Sequence, residues 1–586
     1  MKDFDLIVEN KFIPGVKIAE TSENYLNNEC KCNDYEEYED ETKPLKCDIS
    51  HSDESKERKL EISNSKQSRF ISTEIGDNAD LNNVNCENKR ENDGTISDNT
   101  QYNKGNELSE NYYITDTNRS RMPPNWKQFI SASGAITLYF STGISSGFSA
   151  TLIPRLREEH SAILENESSI SWIASIAVLP LAPCCFIGGL LIEKFGRRRT
   201  LGTLGIPFFV GWIVVILSSG LTEMLIGRFI IGCSIGIMMP SMSVFISEST
   251  SPKLRGMLLS LLPFSFALGI FISHLIGTWV SWQWTAIISA IFPLISVFIL
   301  LFVPESPVWL LSKGKTDDGI KAFHWLRGYS ENARLELKAM LEKFKTSQTP
   351  NSTSKWKENL EKFGSPEFFK PLLIMIIIYL TCHFSGIHTI TFYSVDIMEK
   401  ATGGGIDRYV AMLTIDALRL ITTMIAILFS KNCPRRLLTI LSGSLSAASM
   451  LGLSIFLYIY DDKTPSHLTA VPLCFLCAFI IAVNIGLITL PVIIVGEIFP
   501  TNVRSFGAGI SSSIGLFSIF IVVKTAPGMM KNLGQVFTFS FYGIVSLVGT
   551  TILFFILPET KGKSLLEIEA IFKRKKMKYR CILIIK

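Results

Sequence analysis

Charged side chains are scarce: Asp, Glu, Lys and Arg make up 19% of the 586 residues, against 47% hydrophobic ones. At this length and apolar content a single soluble domain is a poor fit. The net charge is only +4 and no basic cluster alternates with aromatics, which argues against nucleic acid as a partner. No His/Cys set has metal-ligand spacing, and neither a nucleophile elbow nor a phosphate loop stands out, so no enzyme chemistry, metal or cofactor is expected. The twelve cysteines form no regular framework. Cys30 and Cys32 lie in a polar stretch, while Cys184, Cys185, Cys474 and Cys477 lie in apolar runs, where small buried thiols are expected. A basic start followed by a short apolar run and a small-residue cleavage site is also lacking, so the first apolar run is expected to direct insertion itself.

What is present is sharply partitioned. Residues 1–125 are rich in Asn, Ser, Glu, Asp and Lys, as from Tyr35 to Glu41, and hold too few large apolar side chains for a core, so a disordered cytosolic tail is expected. Beyond it come long apolar runs, and about 20 such residues cross a bilayer as a helix. Six lie near Phe129–Ile153, Ser169–Ile192, Leu201–Leu221, Met224–Ile246, Met257–Trp279 and Ser281–Val303. Six more lie near Pro371–Val395, Tyr409–Ser430, Leu437–Tyr460, Leu468–Gly496, Ser505–Val523 and Val536–Leu557. They lack the alternation of a barrel strand. The expected fold is an all-α membrane protein of twelve transmembrane helices, with halves at 126–303 and 371–558. A charged linker at 304–370 carries short amphipathic helices, and a cytosolic tail occupies 559–586.

Lys and Arg in short loops mark the cytosolic side. Lys194 with Arg197 to Arg199, Lys253 with Arg255, and Lys431 with Arg435 and Arg436 all fall in even-to-odd connections. Both termini are expected on that side, in a plasma-membrane protein that is monomeric in the lipid bilayer. Asn166 begins a glycosylation triplet in the first outer loop. The same loops expose a repeat. Arg197-Arg198 matches Arg435-Arg436, Glu248 with Arg255 matches Glu497 with Arg504, and Pro304-Glu-Ser306 matches Pro558-Glu-Thr560, in the same order. A doubled six-helix unit can rock about a central site. The charges Glu193, Arg197, Arg198, Glu248, Arg255, Arg435, Arg436, Glu497 and Arg504 are candidates for the ion pairs that close the cytosolic side.

From Trp126 to Glu569 these residues resemble the sugar-porter branch of the major facilitator superfamily, and within it the insect facilitated trehalose and glucose transporters. The matching motifs are Glu193 to Arg198, Gly227-Arg-Phe with Glu248 and Arg255-Gly256, Pro304 to Leu310, Ser385-Gly-Ile, Gly496 to Pro500 with Arg504, and Pro558 to Gly562. The resemblance implies two pseudo-symmetric halves and transport of a small polar solute such as a sugar by alternating access. Ser145, His383, Ser385, His388, Tyr393 and Asn484 are the candidate solute contacts. The family's helix-seven amides are replaced here by Cys382, His383 and His388, a helix-five glutamine by Pro263, a helix-ten tryptophan by Val492, and a helix-eleven Asn-Trp pair by Gly515-Leu516. Side-chain amides both donate to and accept from hydroxyls, so their loss leaves a modified sugar, a polyol or another polar solute open.

Ionisable groups within such runs face a cavity or a partner. Asp416 and Arg419 are three apart and expected to pair. His383 and His388 are five apart, about 140° around a regular helix, so only one should line the groove, with His383 preferred. Proton-driven relatives carry an acid in helix one, whereas none occurs here between Phe129 and Pro154, which favours a downhill uniporter. The alternatives are a proton-coupled symporter using Asp416 or a helix-seven histidine, and a transport-dead solute sensor.

Overall fold

The computed structural model describes residues 123–161, 163–164, 167–346, 366–401, 406–460, 468–499 and 504–561, with 563, 567–568 and 571–572 beyond. The expected disordered tail at 1–125 lies outside these apart from its last three residues. Regular structure is helical throughout the described residues. Ten helices there are long and apolar enough to cross a membrane. Pro124–Glu158 and the broken pair Glu167–Ser175 and Leu181–Phe195 complete twelve spans.

In chain order the first half holds those two spans, then Arg197–Ile216, Leu221–Ser249, Pro252–Trp279 and Trp282–Leu301 as the third to sixth. The seventh is assembled from Pro366–Cys382, a wide turn His383–Ile387, His388–Phe392 and Ser394–Ala401. The eighth and ninth are Arg408–Asn432 and Arg435–Tyr460, and the tenth is Val471–Ile485 with Thr489–Ile498. Arg504–Asn532 and Gly534–Ile556 close the set. Between the halves, Pro307–Ser312, Thr316–Arg327 and Glu331–Thr346 form short helices. They are held beneath the first half: Arg327 Nη1 donates to Ser249 O at 2.8 Å, and Trp309 Nε1 to Glu193 O at 2.9 Å.

Local chemistry sets the helix ends. Proline occupies the first turn at Pro124 and Pro252, where no donor is lost. Asp407 accepts from the backbone N–H groups of Tyr409 and Val410, both at 3.0 Å, and so starts the eighth span. The seventh span breaks at Gly386, whose φ of +96° suits a residue without Cβ.

Packing repeats between the halves. The first span lies on the fifth as the seventh lies on the eleventh, the third lies on the fourth and sixth as the ninth lies on the tenth and twelfth, and the second lies on the fourth as the eighth lies on the tenth. The seam between halves follows the same two-fold logic, with the fifth span on the eighth and the second on the eleventh. Small residues allow the closest approaches. A Cβ on Gly269 would fall 2.2 Å from Phe140 O, and one on Gly143 would fall 2.2 Å from Phe266 O, which draws the first and fifth spans together.

Candidate functional site

The end carrying the basic loops is built twice. Glu305 accepts from the backbone N–H groups of Arg197 at 2.9 Å, Arg198 at 2.8 Å and Arg199 at 3.2 Å, an anion seated on the N-terminus of the third span. Glu559 does the same for Arg435 at 2.9 Å and Arg436 at 3.0 Å at the start of the ninth. Arg197 Nη2 donates to Glu248 Oε1 at 3.0 Å, and Ser306 Oγ donates to the same carboxylate. In the second half Arg435 Nη2 lies 3.7 Å from Glu497 Oε1, and Thr560 Oγ1 donates to Glu497 Oε2 at 2.6 Å.

Those ion pairs stay within a half. Glu248, expected to act with Arg255, takes Arg197 instead, because the capped third span presents that guanidinium to the end of the fourth. Arg255 Nη2 reaches Thr250 O at 3.5 Å. Glu193 is exposed and contributes its carbonyl to Trp309. The Arg504 side chain and Asn166 lie outside the described residues.

Contacts between the halves gather toward the opposite end. Arg157 Nη1 lies 3.2 Å from Asp396 Oδ1, and Arg408 bridges Glu158 to Glu399. Arg155 stands over the Tyr409 ring at 5.8 Å and donates to Thr278 O at 2.9 Å. On the other flank Lys524 donates to Ser171 Oγ at 2.8 Å and sits 3.5 Å from the Trp172 ring centroid.

The candidate solute contacts lie between these ends. His383 Nδ1 and His388 Nε2 are 2.9 Å apart, which corrects the expectation that they face different ways. The wide turn with Gly386 departs from 100° per residue and brings both rings to one side. His383 also stacks on Tyr379 at 5.8 Å between centroids. Tyr379 Oη in turn lies 3.2 Å from Ser512 Oγ. Tyr393 Oη donates to Val523 O at 2.9 Å, Ser385 Oγ to Cys382 O at 2.7 Å, and Asn484 Nδ2 to Ile480 O at 2.9 Å. Ser145 is buried in the first span. One proton bridges the two imidazoles, so each ring keeps a second nitrogen turned away from the contact.

Arg419 Nη1 lies 3.4 Å from Asp416 Oδ1, and both side chains are buried. The other carboxylate oxygen of Asp416 contacts His274 Nδ1 on the fifth span. Among ionisable residues in apolar runs, His274 is not a sequence candidate, and Arg228 stands there only within the Gly227-Arg-Phe motif. Both are wholly buried, and the same rule that singled out Asp416 would have found them. Arg228 donates to Ser149 Oγ and to Ile173 O, tying together the first, second and fourth spans.

Twelve spans in two matching halves, with broken helices and polar side chains along the seam, define a membrane carrier with the major facilitator fold. The chain belongs to the family described as sugar (and other) transporter, whose profile matches residues 127–572. It is 29% identical over 432 residues to the facilitated trehalose transporter Tret1 of Culex quinquefasciatus, covering 73% of this chain and 82% of that protein. The Apis mellifera ligustica counterpart is 28% identical over 455 residues, with 77% and 89% covered. Against the Aedes aegypti counterpart the match is 28% over 449 residues and spans only 55% of that protein's length. In structure the chain is similar to the xylose transporter XylE from E. coli in its inward-open conformation, with a TM-score of 0.62, 19% identity, and 77% and 100% of the two chains covered.

Proposed function

We propose that this protein carries a sugar or a similar small polyhydroxylated solute across a membrane by alternating access, with the basic end and both termini in the cytosol. The carrying observation is the asymmetry of the seam among the described residues: polar contacts between halves gather at the end away from the basic loops, while the ion pairs described at the basic end, Arg197 with Glu248 and Arg435 with Glu497, lie within a half. That is the pattern of an outer-closed carrier whose halves part toward the cytosol. The positive charge of the inner loops supports the orientation.

The solute is read as meeting His383 and His388 from the seventh span, with Tyr393, Ser145 and Asn484 around them. Imidazole nitrogens donate to or accept from hydroxyls as the missing amides would, but offer fewer groups per side chain. The trehalose and xylose carriers among its relatives point to the sugar class. In proteoliposomes, a panel of labelled trehalose, glucose, xylose and polyols should yield at least one solute with saturable uptake that is lost in His383→Ala. Saturable uptake of none of them would refute the reading.

A further inference from the structure

The fifth and eighth spans meet across the seam at a buried pair. His274 Nε2 lies 3.0 Å from Gly147 O, and His274 Nδ1 contacts Asp416 Oδ2. A carbonyl oxygen only accepts, so Nε2 carries a hydrogen. Nδ1 then faces a carboxylate oxygen, and two lone pairs cannot share that contact. A further proton must lie between them, either on the imidazole beside an ionised carboxylate or on the carboxyl beside a neutral imidazole. Both descriptions contain the same number of protons.

We infer that His274 and Asp416 form a proton-binding site built across the two halves, so that closing the outer side takes up one proton and opening it releases one. The inference rests on the alternating-access reading above. Arg419 is what makes release feasible. With the proton gone, Asp416 keeps its guanidinium partner at 3.4 Å, so no bare carboxylate stays buried. His274 becomes neutral and loses its hold on the second half. The proton linkage of outer closure thus resides on the fifth and eighth spans, not on an acid in helix one.

The charged groups packed around the pair have partners of their own. On the eighth span the charged neighbour is Arg419. The seventh span brings His388 and His383, which bond each other, and Asp396 and Glu399, held by Arg157 and Arg408. From the first span Arg155 reaches Thr278 O one turn beyond His274, and from the fourth Arg228 turns to Ser149 and Ile173. The sixth span has no ionisable residue, and the tenth has the thiols of Cys474 and Cys477 and, at the basic end, Glu497 beside Arg435. Gly147 eases the close approach: a Cβ there would lie 3.1 Å from Ile270 O and 3.2 Å from the imidazole.

The test reads conformation and needs no solute. Hydrogen exchange of the segments Ala150 to Glu158 and His274 to Val280 is measured in lipid nanodiscs from about pH 5 to 8, where histidine changes charge, and corrected for intrinsic rates. Wild-type protection should fall as pH rises, approaching about tenfold per pH unit for one proton. Asp416→Asn supplies an amide that donates to neutral Nδ1 without a labile proton, so its protection should stay high and flat. His274→Gln, as a second variant, should also be flat. Protection in the wild type that ignores pH, or a pH slope that survives in both variants, overturns the proposal. Absence of sugar uptake beside an intact pH response would refute only the solute reading.

Discussion

At the residue scale, the seventh span turns on Gly386. Its φ is +96° and a Cβ there would sit 2.7 Å from the Tyr542 ring, so Gly386→Ala meets both backbone strain and a clash. The strain alone is worth about 1–3 kcal/mol. Thermal unfolding in detergent should show a lowered Tm, and uptake should fall as the two histidines lose their common side. His388→Ala tests the pairing separately. It removes the partner 2.9 Å from His383 Nδ1, so at the proposed solute site an imidazole oriented only by its stack on Tyr379 should show weakened apparent affinity with little loss of Tm. Neither residue type announced this geometry. The sequence spacing places the rings about 140° apart on any regular helix, and only the wide turn, stabilised by neighbours from the twelfth span, brings them together.

At the element scale, two devices recur in both halves. Glu305 and Glu559 sit on the N-termini of the third and ninth spans, where each accepts from successive backbone N–H groups. Removing the charge with Glu305→Gln keeps the shape and should cost about 1–2 kcal/mol, the range for an anion at a partly buried helix start. Differential scanning fluorimetry should show the loss. Glu559→Gln should cause a similar drop if the two ends are equivalent. The second device is close helix contact. With Phe140 O only 2.2 Å from a Cβ on Gly269, Gly269→Leu should push the first and fifth spans apart and leave little folded protein on size-exclusion chromatography, whereas Gly256→Ala, with open space at that position, should be tolerated. The helix-end motifs could be read from the repeated Pro-Glu-Ser and Pro-Glu-Thr signatures, but which backbone groups they cap could not, since Glu305 and Arg197 are more than a hundred residues apart in the chain.

At the scale of the whole molecule, the proposed transport cycle makes doors of the two ends of the seam. In that proposed cycle, closure at the end away from the basic loops rests on ion pairs such as Arg157 with Asp396, which lie near the surface and are individually weak, of order 0–1 kcal/mol. Several together, with the buried His274 and Asp416, bias the state without locking it. Holding that side shut should therefore stop transport. In a background without native cysteines, Arg157→Cys with Asp396→Cys joined by a short cleavable reagent should abolish sugar uptake, and cleavage of the linker should restore it. Undiminished uptake in the joined protein would exclude an outer door at this place. Hydropathy, loop charge and repeated motifs by themselves determined the helical class and the doubled architecture, because bilayer thickness, the missing backbone partners in lipid and short-range signatures act along the chain, while the sugar-porter family was legible only through the motifs' resemblance to known members. Tertiary structure alone decided which charges meet. It placed Glu248 with Arg197, drew His383 to His388, and set His274 against Asp416 across the two halves, since burial selects partners by position in space and a buried charge must find one wherever in the sequence it lies.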